Sequence, residues 1–327
     1  MAAGVKKNLA PRERIFPWGT SRRYNAYVDQ LKSKFGNRVQ KVVVHAGFTC
    51  PNRDGSKGYG GCIYCNNDTF KPPYCKAEMN ISEQVEAGIS FLSRRYGVAE
   101  FMVYFQPFSN TYASLEKLQS LYQEVLKHPQ VIGLAIGTRP DCIDPQKIDF
   151  LEQLAKKYYI TLEYGLESPY DKTLRWINRQ HDFQSWIDAV QMTADRGIEI
   201  CTHIILGLPP ESKQEMIHAA QILSEYPIQS VKIHHLHVVQ NTILAVRYKK
   251  DPFHLFSLPE YIDLVVEFLQ HLRPDIMIQR LVGETQPRLL IGPLWGIRAD
   301  AVQRRIERTL EEKDVWQGKL WNEPEMT

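Results

Sequence analysis

The chain has 327 residues, 43% of them apolar and 24% charged, with a formal net charge of +3, the make-up of a globular protein with one large α/β domain or two smaller ones. No apolar run approaches the roughly 18 residues needed to span a bilayer, and the N-terminus lacks the apolar segment of a secretory signal. Six scattered cysteines without disulfide-scaffold density fit a reducing compartment, so a cytoplasmic protein with no membrane association is expected.

The charge is unevenly spread. Residues 1–50 hold ten Lys or Arg (Lys6, Lys7, Arg12, Arg14, Arg22, Arg23, Lys32, Lys34, Arg38, Lys41) against Glu13 and Asp29, a local +8 that leaves about −5 for the rest. Such a basic end can track a phosphate backbone, with Trp18, Tyr24 and Tyr27 among the charges for stacking. A solvated extension carrying a short helix is the plainer reading. Residues 1–40 are taken as this basic extension.

From residue 41 onward, short β-rich runs alternate with segments of helical period. Strands are expected at 41–45, 101–105, 131–136, 160–164, 199–206 and 230–234, and helices at 78–96, 114–127, 145–157, 184–196 and 211–225. Gly97, Pro129, Gly197 and Pro227 punctuate the joins. Alternation of this kind means parallel βα units with right-handed crossovers, so residues 41–240 read as an α/β, partial (βα)6 TIM-like barrel. After Leu236 the rhythm loosens into a loop with Arg247, Lys249 and Lys250, helices near 260–272 and 298–312, and an apolar run at 276–278. Residues 241–327 are expected to form a C-terminal extension packed on the barrel.

The chemistry-bearing residues sit where the strands end, as parallel barrels require. The first strand opens into a glycine-rich loop, CPNRDGSKGYGGCIYC, carrying Cys50, Cys62 and Cys65. Thiolates this close can share one inorganic centre, and a two-residue gap is common to iron–sulfur and zinc ligands. The second strand exits through Gln106, Ser109, Asn110, Thr111 and Tyr112, and the third as GTRPD (137–141). The fourth, LEYGLES, places Glu163 near Glu167 and leads on to Asn178, Arg179 and His181. The fifth reads THIILGLPPES. The sixth carries Lys232, His234 and His237, and alternation along a strand turns His235 away from the other two.

These motifs, in this order, resemble the radical S-adenosylmethionine (SAM) superfamily, and within it the YhcC/YtqA-type branch similar to the radical SAM core of the Elongator catalytic subunit. The resemblance runs from about Arg23 to about Trp295. The commonest superfamily pattern has three residues between the first two cysteines, whereas eleven lie between Cys50 and Cys62, as in the Elongator-like branch. It implies a [4Fe–4S] cluster held by Cys50, Cys62 and Cys65, with SAM on the fourth iron, cleaved to a 5′-deoxyadenosyl radical that abstracts hydrogen from substrate. Tyr64 would lie against adenine. Gln106, where the family usually has an acid, would accept from the SAM amino group, and Asn110 would help bind the cofactor. Glu163 or Glu167 would contact the ribose or a substrate amine, Arg179 would pair with the SAM carboxylate, and the backbone around Leu206 would line adenine. Lys232 and His234 would face substrate as catalytic residues.

The resemblance further implies tRNA as substrate, at the C5 side chain of the wobble uridine, for example by converting a carboxymethylaminomethyl group to aminomethyl. The partners would be tRNA, an electron donor such as flavodoxin or ferredoxin, and a downstream methyltransferase. Two other readings stand beside it. One is a radical SAM enzyme acting on a small metabolite or peptide. The other is a structural zinc and RNA-binding module using Cys75 as fourth ligand. Cys142 and Cys201 read as buried small hydrophobes.

Overall fold

The computed structural model describes residues 14–67, 72, 74–75 and 78–322. Helix α1 (Tyr27–Phe35) precedes β1 (Val39–Val44). There follow α2 (Ile81–Tyr96), β2 (Glu100–Phe105), α3 (Leu115–Leu126), β3 (Val131–Thr138), α4 (Pro145–Ala155), β4 (Tyr159–Glu167), α5 (Asp171–Trp176), α6 (Phe183–Thr193), β5 (Glu199–Leu206), α7 (Lys213–Ser224) and β6 (Ser230–His235). Beyond these lie β7 (Val238–Val239), α8 (Ile243–Lys250), α9 (Leu258–His271), β8 (Met277–Arg280), β9 (Leu290–Gly292) and α10 (Ala299–Glu312). Local chemistry starts several of the helices: Asn80, Ser212 and Ser257 each accept from the amide three residues on, while Glu83, Glu215 and Glu260 reach back to the cap. Each such cap stabilises its helix by about 1 kcal/mol.

One sheet organises the molecule, with strand order β1-β2-β3-β4-β5-β6-β8 and every pair parallel. It has seven strands, one more than the sequence pattern predicts. The extra strand is supplied by the C-terminal region, where Ser230 aligns with Met277 and Lys232 with Arg280. Phe101, Val103, Phe105, Leu134, Ile136 and Leu162 are fully buried between this sheet and the helices. Their alternates, Met102 and Tyr104 with Ala135, turn into the barrel. The sheet is curled. Lys41 of β1 reaches both Glu163 of β4, at 2.6 Å, and Gln279 of β8, at 2.7 Å, which a flat sheet would not allow. Helix α1 lies near the two edge strands, with Ala26 bridged to Ile278 and the Tyr27 ring beside Lys41.

Three arginines of the basic N-terminal segment are engaged within the protein. Arg22 pairs with Asp29 and with Glu307 of α10, and Arg23 reaches Asp314 at 2.7 Å. Arg14 lies over Trp316. Tyr24 and Tyr27, at 3% and 6% exposure, are core residues and are not available for stacking on bases, contrary to the expectation from their charged surroundings. Lys6, Lys7 and Arg12 lie outside the described residues.

Candidate active site

The loop after β1 is tied down by its own backbone. Arg53 N donates to Cys50 O, Gly61 N to Asn52 O and Cys65 N to Cys62 O. Between Cys62 and Cys65, Ile63 is 2% exposed and packs with Leu174, Ile177, Leu208, Leu236 and Leu244. Its amide donates to Ile177 O and its carbonyl accepts from Leu244 N of α8. An apolar anchor between two thiols fixes both of them. Gly61 has φ +81°, and a Cβ there would meet Arg53 Nε at 2.8 Å. The absence of a side chain therefore lets Arg53 fold over the loop and donate to Cys65 O at 2.9 Å.

A second turn clamps this loop. Asn52 Nδ2 donates to Asn178 O at 2.6 Å, and Asn178 Nδ2 returns the bond to Gly61 O at 2.9 Å. Arg179, buried, directs Nη1 to Cys62 Sγ at 3.4 Å and Nη2 to Gly165 O, with Glu167 3.4 Å from Nη2. Its Nε donates to His181 Nε2 at 2.9 Å. That bond needs an unprotonated His181 nitrogen, and burial, then the charges of Arg179 and Arg139, push His181 down to about 3. Arg139 of the GTRPD segment forks onto Asp141 and donates Nη1 to Arg179 O at 2.8 Å, so the third strand exit braces the fourth.

Below the thiols, a layer of charge crosses the barrel. Glu163 is fully buried and takes Lys41, Lys232 and, at 3.0 Å, His203 Nε2. Burial works to raise its pKa, but the Lys232 and Lys41 charges and His203 overcome it and hold the carboxyl well below its usual range. Lys232 moves the other way from what its pairing alone would give. Burial, together with Lys41 and Arg280, outweighs the Glu163 attraction and lowers it to about 8. It also donates to Tyr104 Oη at 3.1 Å.

These residues share one cavity. Cys50, Cys62, Cys65, Tyr64, Gln106, Glu163, Glu167, Arg179, Lys232 and His234 all line it. Asn110 and Leu206 do not. Asn110 Nδ2 is spent on the carbonyls of Phe105, Pro107 and Gly137, and Leu206 is buried against the helices. His235 follows the alternation: its ring turns away from His234 and packs on Tyr261 and Trp295, ring centroids 5.2 and 4.2 Å away, although the residue borders the cavity beside His237. Residues that sequence reasoning left unused are Lys41, Asn52, Arg53, His203 and Arg280. Their one signal was polarity inside apolar strands or a glycine-rich loop.

The donor set fits an iron–sulfur cluster better than a single ion. A tetrahedral zinc site at about 2.3 Å per thiolate needs sulfurs about 3.8 Å apart. Among the described residues, the group of ligand atoms within 4.8 Å of one another is Glu163, Cys201 and His203, not the cysteine triplet. Cys75 Sγ lies against Val43 O and is absent from the cavity wall, so it does not complete a zinc site with the other three. Three thiols with Arg179 and Asn52 donating toward Cys62 Sγ, and Arg53 alongside, form a cationic cradle suited to an anionic cluster.

A curled parallel sheet with three thiols in the loop after its first strand defines the radical SAM class of protein. The sequence matches the Radical SAM superfamily over residues 49–223 and the Radical_SAM C-terminal domain over 228–312, and the chain belongs to this superfamily. It is therefore a radical SAM enzyme, which uses a [4Fe–4S] cluster and SAM. It is 32% identical to the uncharacterized protein YtqA of Bacillus subtilis over 307 residues, covering 94% of this chain and 95% of that one. It is 27% identical over 205 residues to a tRNA uridine(34) acetyltransferase of Methanocaldococcus infernus, covering 62% of this chain but 37% of the relative. The archaeal Methanocaldococcus infernus Elp3 shares its fold, with a TM-score of 0.65 at 16% identity over 85% of this chain and 64% of that one. No helix among the described residues is long and apolar enough to cross a membrane.

Proposed function

We propose that the protein modifies the C5 side chain of the wobble uridine in tRNA, converting a carboxymethylaminomethyl group to aminomethyl. The observation that carries this reading is the similarity to the tRNA uridine(34) acetyltransferase across the radical SAM region. Bound cluster and SAM supply reductive carbon–sulfur cleavage and a carbon radical able to abstract hydrogen. The chain's own residues do the rest. Cys50, Cys62 and Cys65 would hold three irons of the cluster, while Arg179 and Asn52 direct hydrogen bonds at Cys62 sulfur. Lys232 and His234, on the cavity wall, face the substrate side chain, and an unpaired anticodon base is able to enter such a cavity. Ile63, Ile205 and Leu236 with α8 close one side against water. An acidic one-electron donor of the flavodoxin or ferredoxin type would reduce the cluster, and a methyltransferase would act on the product.

Mass spectrometry of tRNA nucleosides from a deletion strain tests the substrate. Carboxymethylaminomethyluridine is expected to accumulate at the expense of aminomethyl-derived nucleosides. An unchanged wobble-uridine profile would move the assignment to a small metabolite or peptide. Anaerobically purified protein should be brown, with broad absorbance near about 400 nm. Cys62→Ala should lose both that absorbance and SAM cleavage; retention of either contradicts the ligand assignment.

A further inference from the structure

The cavity holds more charge than its ion pairs use. Glu163 is taken by Lys41, Lys232 and His203, while Arg179 and Arg139 are engaged by the cysteine loop and Asp141. Arg280 is different. It leaves β8 beside its register partner Lys232, half-buried in the cavity wall; Glu284 lines the same cavity, but among the described residues the Arg280 guanidinium has no ion pair and no side-chain hydrogen bond. Thr285 Oγ1 in the same cavity wall is buried without a hydrogen-bond partner.

Buried polar atoms in folded proteins are nearly all satisfied, and a partly desolvated guanidinium without a counter-charge is costly. A guanidinium and a hydroxyl left unsatisfied in one wall therefore describe a ligand with one negative charge and more than one acceptor position. The guanidinium fork presents parallel N–H groups that match the two oxygens of a planar carboxylate. A phosphate with two charges would call for more than one uncommitted cation.

We propose that Arg280, with Thr285, forms a subsite for a carboxylate on the substrate. The proposal rests on the tRNA reading above. On that reading the carboxylate is the end of the carboxymethylaminomethyl side chain, and Arg280 is the residue that tells this substrate from its aminomethyl product. The methionyl carboxylate of SAM has the same chemistry. Arg280, however, stands with Lys232 on β6 and β8, whereas the thiols have Arg53 and Arg179 at their side.

The test is equilibrium binding to the reconstituted holoenzyme of two anticodon stem-loops that differ only in carrying a carboxymethylaminomethyl or an aminomethyl group, with a parallel titration of SAM. Wild-type protein is expected to prefer the carboxylate form by about 10-fold or more. Arg280→Gln should erase that preference while SAM affinity stays within about twofold, and Arg280→Lys should restore part of it. Iron content and the far-ultraviolet spectrum of each variant establish that it has folded. Preference and SAM affinity both unchanged in Arg280→Gln overturn the subsite. An intact preference with SAM affinity reduced about 10-fold assigns the carboxylate to SAM and overturns the substrate assignment. Wild-type protein that binds both stem-loops equally overturns it as well. If the wild type binds neither stem-loop, the tRNA reading itself has failed, and the substrate subsite falls with it.

Discussion

Glu163 and Glu211 carry the same side chain with its pKa shifted in opposite directions, and the difference lies in their neighbours. Glu163 has two lysines and is held ionised against its burial. Glu211 has no lysine as close. Burial raises it from an ordinary 4.5 to about 7, with the hydrogen bond from Ser168 offsetting part of the effect. A carboxyl whose pKa is higher in the folded state binds more protons there between the two values, so its contribution to stability is complete below about 4.5 and is lost as pH rises through about 7. That loss is worth up to about 3 kcal/mol. Glu199, half-buried and likewise raised to about 7, adds a second contribution in the same window. Glu211→Gln should therefore reduce the fall in stability between pH 4.5 and 7 without removing it, as read from urea midpoints at several pH values. An undiminished slope would show that Glu211 is ionised in the folded protein.

At the level of elements, β-branched runs and capping residues made most of the barrel legible. The fifth strand, Glu199–Leu206, falls where the pattern places it, and helix starts differ by a few residues. Strand β8 was not legible because four residues are too few to show a period; its pairing with Ser230 and Lys232 is a tertiary fact. The three cysteines stood out by their spacing, which marks a shared inorganic centre without choosing between iron–sulfur and zinc, and the structure brings them to one cavity. Lys41 and His203 were not, since each is one polar residue in an apolar strand until curling brings it to Glu163. The cysteine loop allows a paired test of that local design. Gly60 and Gly61 both have positive φ, +78° and +81°, but a Cβ on Gly60 meets nothing within 4 Å, whereas one on Gly61 strikes Arg53. Gly60→Ala should cost the backbone preference alone, about 1–2 kcal/mol. Gly61→Ala should add displacement of Arg53 from Cys65 O. Iron and sulfide per chain after reconstitution are expected to fall clearly further in Gly61→Ala than in Gly60→Ala; equal losses would mean that Arg53 does not support the cluster loop.

For the whole molecule, the charges of Arg22 and Arg23 are better explained by closure of the fold than by nucleic acid. Arg22, Arg23, Tyr24 and Asn25 meet Glu307, Asp314 and Gln317, so the two ends of the described chain clasp each other beside the open edge of the half-barrel. Pairs of this kind, partly exposed, stabilise by about 0–1 kcal/mol each. The two roles separate in one variant. If Arg22 and Arg23 tracked phosphates, replacing both with Ala would lower the slope of log K against log salt for tRNA binding by about 1.4–1.8, since each neutralised phosphate contributes about 0.7–0.9. As clasp residues, they should leave that slope unchanged and instead lower the thermal midpoint by a few degrees, about 1–2 kcal/mol of stability. A shallower salt dependence with an unchanged midpoint would return these arginines to the tRNA interface.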